Sequence, residues 1–408
     1  MDNNPFGKHT FQTIWLKHFK NSIQPIAYNS IKNIKFYKNK YLPIYVNVGR
    51  NITNGMCYTI DKREDDFKGK TFLIYDVPEY FDIDIKTKNG LKVKKIRQFK
   101  GASAQFEKFE TFDDYFKFKF KSNSRYKHKR NIARFESCFD SDYKVFCGNI
   151  SKEEYGIVFQ YLKDIIRRRF ETLGIDNNIL SKSDYYEELV YEMVLKKEAV
   201  LIAIYDGNSP IGVSLGFLSD SIMFYAITSF NIDYYRFNLG HITIIKLMQW
   251  CFENGFKTFD FSKGLVDYKD RWTNYVYNYE CHILYDSKSF KSKVTTALVS
   301  RFLKFKQYLR ENKINRLYNK IKFILKNQVS KIPISTLKAV DIGDKNIDMN
   351  SLTEIDIYSE KYNFLKAPLF DFLYRKPEKT HEIKIYQSID KKNLYYAIGK
   401  VSKIRLSY

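Results

Sequence analysis

Apolar residues recur every three or four positions in several stretches of the chain, which is the period of a helix with one buried face. The stretch 152–170 shows this pattern together with signals for both helix ends. Ser151 precedes it, Glu153 and Glu154 open it, and three arginines come near its end, an order that stabilises a helix. Helices are predicted at residues 10–19, 126–135, 152–170, 183–195, 241–254, 294–309 and 314–324.

Shorter runs alternate between apolar and polar residues or are continuously apolar, which is typical of strands. Three of them follow one another through tight turns at 206–208 and near Asp220, so we expect antiparallel neighbours. A helix and a further strand come next, and the whole order predicts an α/β (α+β) protein. Strands are predicted at 41–48, 71–77, 199–205, 210–218, 223–230, 259–261 and 275–285, with hairpins around Gly90 and around residues 390–393.

Length and composition favour a globular protein with more than one structural unit. The chain has 408 residues, 44% of them hydrophobic, which suits two domains or one large domain with an extension. The N-terminal residues lack a secretory pattern, and no apolar run approaches the roughly 20 residues that span a bilayer. Five cysteines are scattered without a Cys-x-x-Cys pair, so we expect free thiols, no metal site and a cytoplasmic protein.

The formal net charge of +23 favours an anionic partner: the phosphates of a coenzyme or nucleotide, RNA, or a membrane surface. From Lys117 to Arg134 the chain has eight basic residues and no acidic one. This segment contains the predicted helix at 126–135, and two interpretations stay open for it. It is either a solvated helix face or a surface that meets a substrate phosphate.

A second basic segment, 288–326, carries twelve Lys and Arg but only Glu311 as an acidic residue. Its apolar residues recur at helical spacing, as in Val294, Leu298 and Phe302. Two interpretations stay open here as well. The helices either pack on the body of the protein or make a peripheral contact with an anionic membrane, at the inner face of the cell membrane.

The stretch 256–274 concentrates candidate catalytic chemistry. A short strand ends there in a glycine turn, and the loop beyond it carries a carboxylate, a phenol and a cation: Asp267, Tyr268 and Lys269. Loops that follow strands commonly hold functional residues. The alternative is a charged surface loop in which Trp272 serves as a packing anchor.

The order of residues in this stretch resembles a known motif. Asp-Phe, a polar pair and Gly end the strand at 260–264, an acidic-Tyr-Lys triplet follows at 267–269, and Trp272 comes three residues after the lysine. This order resembles the motif of the CelD/BcsL-type acyltransferases, relatives of the GCN5-related N-acetyltransferase (GNAT) superfamily. It is also similar to the Gly-x-x-aromatic-Lys element of the Fem-type peptidyl transferases. The resemblance covers residues 6–285.

The resemblance implies a GNAT-like mixed, mainly antiparallel sheet with flanking helices. It implies a catalytic core at residues 151–286, preceded by a diverged half of the same kind at 1–150. Basic amphipathic helices are predicted to follow at 287–328. The resemblance does not reach the C-terminal extension at 329–408, whose role stays unassigned.

The resemblance also implies a reaction: transfer of an acyl group from acetyl-CoA or another acyl-CoA to an amine, with no metal. Asp267 is then the base, or the carboxylate that positions the amine. Tyr268 is the acid that protonates the departing thiolate, and Lys269 is the cation that stabilises negative charge. Asp260 is a competing base, with capping of the following turn as its alternative role.

In the GNAT superfamily the coenzyme pyrophosphate is held by the turn before the helix predicted here at 241–254. This chain keeps only one of the two small residues of that turn, Gly240, and bulkier neighbours crowd it. The acceptor implied is an amino sugar or nucleotide-linked sugar of cell-surface polysaccharide synthesis, met by the basic helix. The predicted cofactor-binding residues are Arg236, Asn238, Leu239, Gly240 and His241, and the predicted substrate-binding residues are Ser122, Arg125, Arg130 and Trp272.

Two other functions stay open. A Fem-like ligase that takes its acyl group from aminoacyl-tRNA would explain the basic helix and the departure at Gly240, although the sequence predicts no long helical arm within the core. A non-catalytic adaptor that binds a membrane or RNA would show salt-dependent binding without turnover. RNA is a partner only in these two alternatives.

Overall fold

One continuous sheet of twelve strands organises the computed structural model, which is described for residues 3–84, 90–173, 179–312, 337–343 and 347–407. Its strands run mainly antiparallel and helices flank it, as the sequence predicted. The strands of this sheet are β1 Ile26–Tyr28, β2 Ile31–Lys38, β3 Tyr45–Asn47, β4 Thr59–Ile60, β5 Thr71–Pro78, β6 Leu91–Gln105, β7 Ser141–Phe146, β8 Ala199–Asp206, β9 Ser209–Leu218, β10 Ile222–Phe230, β11 Thr258–Lys263 and β12 Tyr275–Asp286.

The order of strands shows that the two halves of the chain share this sheet. The order is β1-β2-β3-β5-β12-β6-β11-β10-β9-β8-β7, with β4 beside β2. The pairs β3/β5 and β10/β11 are parallel. Strand β6 of the first half lies between β11 and β12 of the second half, and β12 pairs in turn with β5. The sheet is therefore continuous across the domain boundary predicted between residues 150 and 151.

Helices cover both faces of the second half of the sheet. In β8, Leu201 packs in a core with helices of one face, whereas Val200 and Ile202 pack with those of the other. A strand buried on both faces has a continuously apolar sequence, as β8 does. The helices are α1 His9–Phe19, α2 Phe112–Lys119, α3 Ser122–Cys138, α4 Lys152–Leu173, α5 Ser183–Leu195, α6 Leu239–Glu253, α7 Asp267–Asp270 and α8 Phe290–Glu311, and a 3-10 helix at Ile232–Phe237 precedes α6.

The C-terminal residues form a second, five-stranded antiparallel sheet with one helix. It packs on the 3-10 helix before α6, where the ring of Phe370 lies 4.7 Å from Tyr234 and 4.9 Å from Phe139, centroid to centroid. The hairpin predicted around 390–393 is present as two of its strands. Its elements are β13 Lys338–Asp341, β14 Leu352–Ile355, β15 Lys384–Ser388, β16 Leu394–Ile398, β17 Lys403–Ser407 and α9 Lys366–Arg375.

Several predicted elements differ from the structure or fall outside it. The strand predicted at 41–48 is present only as the three residues of β3, and residues 41–44 form a loop before it. The first arm of the hairpin predicted around Gly90 begins as a 3-10 helix at Glu79–Phe81 instead of a strand, and residues 85–89 lie outside the described part. The helix predicted at 314–324 also lies outside the described residues. Helix α8 is present, but it packs on the sheet through a face of mostly small and polar residues: Ser292, Thr295, Thr296, Val299, Ser300 and Leu303.

Candidate active site

A cleft opens where the parallel strands β10 and β11 part. They pair over three positions, the last being Phe224 with Asp260, and no pairing continues beyond. The carbonyl oxygen of Tyr225 then accepts from the Ser262 hydroxyl at 3.0 Å and from the Asn54 side-chain amide at 3.4 Å. Side chains thus replace the missing ladder, which leaves a gap between two strands of one sheet.

Two neighbouring cavities occupy this cleft. The larger, about 410 Å³, lies beside the first turn of α6, and the smaller, about 330 Å³, lies between the parting strands. They share three lining residues and therefore adjoin each other. The shared residues are Arg169, Thr228 and Tyr268; the larger cavity adds Phe230, Tyr235, Asn238, Gly240, His241 and Ile244, and the smaller adds Asn54, Ser262, Lys263 and Lys269 among others.

The turn into α6 contributes only part of the predicted coenzyme site. Asn238, Gly240 and His241 line the larger cavity, whereas Leu239 is fully buried. Asn238 has a φ of +55°, which ends the 3-10 helix and lets α6 begin at the next residue. The predicted role of Arg236 is not supported, because its guanidinium pairs with Asp371 of α9 and does not line the cavity.

Close packing against Phe230 explains why residue 240 is a glycine. A Cβ atom built there would lie 2.5 Å from a ring carbon of Phe230, the last residue of β10. The ring covers the first turn of α6 and itself lines the larger cavity. The glycine therefore permits close packing of a helix on a strand, whatever binds nearby.

Trp272 lies in the protein core and does not form a substrate-binding surface. It is fully buried, and its ring lies 4.6 Å from that of Phe120, centroid to centroid. Its indole Nε1–H donates to Nδ1 of His241 at 3.2 Å. Burial lowers the pKa of His241, so the ring is neutral and free to accept this bond. The packing-anchor interpretation of Trp272 is the one the structure supports.

Asp260 is buried in a hydrogen-bonded network beneath the cleft. Its carboxylate accepts from the Tyr277 hydroxyl at 2.6 Å, the Tyr80 hydroxyl at 2.5 Å and the Ser262 amide at 2.6 Å. Desolvation outweighs these bonds and raises the pKa of Asp260 to about 6. The side chain has no exposed surface and holds the backbone of β11 at Ser262, so it is not placed to act as a base on a substrate.

Two residues of the acidic-Tyr-Lys triplet line the cleft, and the acidic one lies at the surface. Tyr268 lines both cavities, and burial raises the pKa of its hydroxyl. The Lys269 ammonium donates to the carbonyl oxygens of Phe261 at 2.7 Å and Lys263 at 3.0 Å, and desolvation lowers its pKa to about 8. Asp267 is exposed and lines neither cavity, and its carboxylate has no bonding partner among the described residues.

Arg169 is a site residue that sequence reasoning missed. It projects from the last turns of α4, lines both cavities and makes no ion pair with the described part of the chain. Its neighbour Arg168 is instead held by Asp233 through two contacts of 3.0 Å. In the sequence both arginines belong to one run near the end of a helix. Only the packing of α4 shows that one is held by a carboxylate and the other lines the cavities.

The predicted substrate-binding residues of α3 do not join the cleft. Ser122 is exposed at the start of the helix. The Arg125 guanidinium donates to the carbonyl oxygen of Phe120 at 2.8 Å, and that of Arg130 donates to the Tyr374 hydroxyl of α9 at 3.5 Å. Both arginines thus bind the protein itself, and none of the three residues lines either cavity.

Comparison with known protein families gives a match to the segment that contains most of the cleft. Residues 122–270 match the family described as "Acetyltransferase (GNAT) domain", a span that begins with α3 and ends with α7. This segment is therefore similar to GNAT domains, as the sequence resemblance indicated. The matched span holds every lining residue of the larger cavity.

Several solved structures resemble the chain at low sequence identity. FemX matches at 13% identity over 65% of this chain and 86% of its own, with a TM-score of 0.45. L-PGS from Bacillus licheniformis matches at 13% over 74% and 98%, with a TM-score of 0.42. A conserved protein of unknown function from Bacteroides thetaiotaomicron matches at 8% over 69% and 92%, with a TM-score of 0.45. No curated protein matches the sequence.

Two further findings concern the described residues alone. None of their helices is long and apolar enough to cross a membrane. Within the same ranges, no three His, Cys, Asp or Glu side chains converge as metal ligands would.

Proposed function

We propose that this protein transfers an acyl group from an acyl-CoA to an amine in the cleft between β10 and β11. One observation carries the proposal. Within the segment that matches the GNAT domain, Tyr268 lines both the cavity beside α6 and the cavity between the parting strands, and Lys269 lines the second of them. A proton donor and a cation thus flank a gap in which a carbonyl group can be held.

The larger cavity has the charge to hold the anionic part of the donor. Arg169 brings a cation without an acidic partner in the described part of the chain, and the first turn of α6 adds the positive end of a helix dipole. Phosphate groups of acetyl-CoA or another acyl-CoA suit these two features. The thioester then extends from Arg169 toward Tyr268 and the smaller cavity.

The triplet supplies the chemistry in this proposal. The amine nitrogen attacks the thioester carbon, a C–N bond forms and the C–S bond breaks. The Lys269 ammonium stabilises the negative charge that develops on the carbonyl oxygen. Tyr268, which stays protonated at neutral pH, gives its proton to the departing thiolate, and the proton of the amine passes through water to Asp267, which is exposed next to Tyr268.

The acceptor proposed is an amino sugar or nucleotide-linked sugar. Asn54, Ser262 and Lys263 give the smaller cavity a polar lining, which suits the hydroxyl groups of a sugar, although the Lys263 ammonium already pairs with Asp76. A role in cell-surface polysaccharide synthesis rests on the CelD/BcsL-type resemblance.

The release of coenzyme thiol from acetyl-CoA, measured with a panel of amino sugars, tests the proposal. Lys269→Ala should lower turnover by about 100-fold, because a preorganised charge at the oxyanion is lost. Lys257→Ala is the matched control, since Lys257 immediately precedes β11, is exposed and pairs with Glu107 at the surface. Equal turnover by the Lys269 variant, at an unchanged melting temperature, would remove the lysine from the mechanism.

A second candidate is an aminoacyl-tRNA-dependent ligase. It is favoured by the state of the turn into α6, where Phe230 covers Gly240 and Arg236 is held by Asp371. Both features hinder close binding of a coenzyme pyrophosphate at this turn. A donor in which the aminoacyl group is linked by an ester to tRNA does not require such binding.

Calorimetric titration separates the two donors. Binding of acetyl-CoA that Arg169→Ala weakens at least tenfold would support the coenzyme. Binding of aminoacyl-tRNA but not of acetyl-CoA would support the ligase, and its affinity should fall steeply with salt.

A further inference from the structure

Helix α8 presents an apolar stripe to solvent. Phe290 is 81% exposed, Leu298 59%, Phe302 61% and Phe305 59%, and Val294 and Tyr308 are exposed beside them. At about 100° per residue these side chains share one face of the helix. The opposite face, which holds Thr295, Thr296 and Leu303 among others, packs on the sheet. The helix thus buries small and polar residues and exposes its large apolar ones, the reverse of an ordinary surface helix.

A second segment of the chain extends this apolar surface. A cavity of about 320 Å³ opens between α8 and the loop before β3, and Leu298 and Phe302 line it together with Leu42 and Pro43. Leu42 is 46% exposed and its neighbour Tyr41 is 85% exposed. Two elements far apart in sequence therefore contribute to one apolar patch, larger than the scattered exposed side chains of most soluble surfaces.

Basic residues surround the patch. Helix α8 carries six Lys and Arg and a single acidic residue, Glu311, whose carboxylate pairs with Arg97. Arg301 and Lys304 are exposed next to the stripe, and neither has an ion-pair partner among the described residues. Arg50 lines the apolar cavity and stacks on Tyr75 at 4.8 Å. The charge around the stripe is thus almost entirely positive.

We propose that this face docks on an anionic lipid bilayer, with the apolar stripe of α8 and the Tyr41–Leu42 loop entering the interface. A bilayer of anionic lipid is complementary to both features at once: its acyl region accepts the large apolar side chains, and its headgroups attract the flanking cations. The proposal stands on α8 and the neighbouring loop, and it does not depend on the acyl-transfer function.

Sedimentation of the full chain with lipid vesicles tests the docking. The protein should bind vesicles that contain phosphatidylglycerol and should not bind vesicles of phosphatidylcholine alone. Phe302→Ser with Phe305→Ser should weaken binding at least tenfold, and so should Arg301→Glu with Lys304→Glu. Ile389→Ser with Val401→Ser, which removes two apolar side chains of the C-terminal region that are at least about as exposed as Phe302 and Phe305, should leave binding unchanged.

Three results would overturn the proposal. The first is an absence of binding to phosphatidylglycerol vesicles, and the second is equal binding by the Phe302 and Phe305 double variant. The third is a dimer, detected by light scattering, that the same double variant dissociates, because a second copy of the chain would then cover the stripe. Thiol release from acetyl-CoA is read separately, so failure of docking and failure of acyl transfer are distinguishable.

Discussion

At the scale of single residues, Tyr268 and Lys269 line the cleft, whereas Asp267 beside them lines neither cavity. The loop 267–269 was singled out from residue types and resemblance, and two of its three side chains line the cleft. Arg169 was missed because its neighbours in sequence have the same composition, and its exposure to the cavity depends on how α4 packs. Arg236 was predicted at the site, but a carboxylate from residue 371 binds it, which no local pattern could indicate.

The buried carboxylate of Asp260 should make stability depend on pH. Its pKa is raised from 3.8 to about 6 in the folded protein, so the fold favours the neutral acid. This contribution is complete below pH 4 and is lost as pH rises through 6. Relative to Asp260→Asn, the wild-type free energy of unfolding should therefore fall by roughly 2–3 kcal/mol between pH 4 and pH 7.

Urea unfolding of both proteins at several pH values measures this difference. Asp390→Asn, in an exposed turn of the C-terminal sheet, serves as the control and should show no such dependence. A constant difference between wild type and Asp260→Asn across this range would mean that Asp260 is already ionised in the folded protein at pH 4.

At the scale of elements, local periodicity predicted helices and strands well. The helix expected at 183–195 is α5 with the same bounds, and the strand expected at 199–205 ends one residue later as β8. Periodicity left the environment of one element open. The stripe of α8 was expected to pack on the body or meet a membrane, and periodicity cannot distinguish a core face from an exposed one.

In the first turn of α6, a double-mutant cycle can test whether Gly240 is required for packing against Phe230 or for binding a ligand. Gly240→Ala should destabilise the protein by about 1–3 kcal/mol, because the added methyl overlaps the Phe230 ring. In a Phe230→Ala background the same substitution should cost nothing, since the overlap is gone. Denaturant unfolding of the four proteins gives the coupling. If Gly240→Ala alone leaves stability unchanged but weakens donor binding, the glycine serves the ligand instead of the packing.

At the scale of the whole molecule, the exchange of strands joins the two halves. The sequence predicted the halves from resemblance, but strand pairing between residues 91–105 and 258–286 depends on contacts distant in sequence. Strand β6 has both of its neighbours in the second half, and β5 has one of its neighbours there. Without the other half, the backbone groups along these strand edges lose the protein partners that they have in the sheet.

Residues 1–150 expressed by themselves should therefore not fold cooperatively. Circular dichroism of this fragment during heating should show no sharp transition, in contrast to the full chain. Co-expression with residues 151–408 should restore a folded complex, because β6 then regains β11 and β12. A sharp transition in the isolated fragment would show that the exchanged strands are dispensable.

The position of β6 has a consequence for the living cell. The ribosome releases β6 early, yet both of its partner strands emerge only after residue 257, and the second is complete at Asp286. Throughout this interval a fifteen-residue strand has two open edges, the kind of surface on which nascent chains aggregate. The order of synthesis therefore differs from the order of assembly. Strand β6 can pair with β11 and β12 only after these two later strands have left the ribosome.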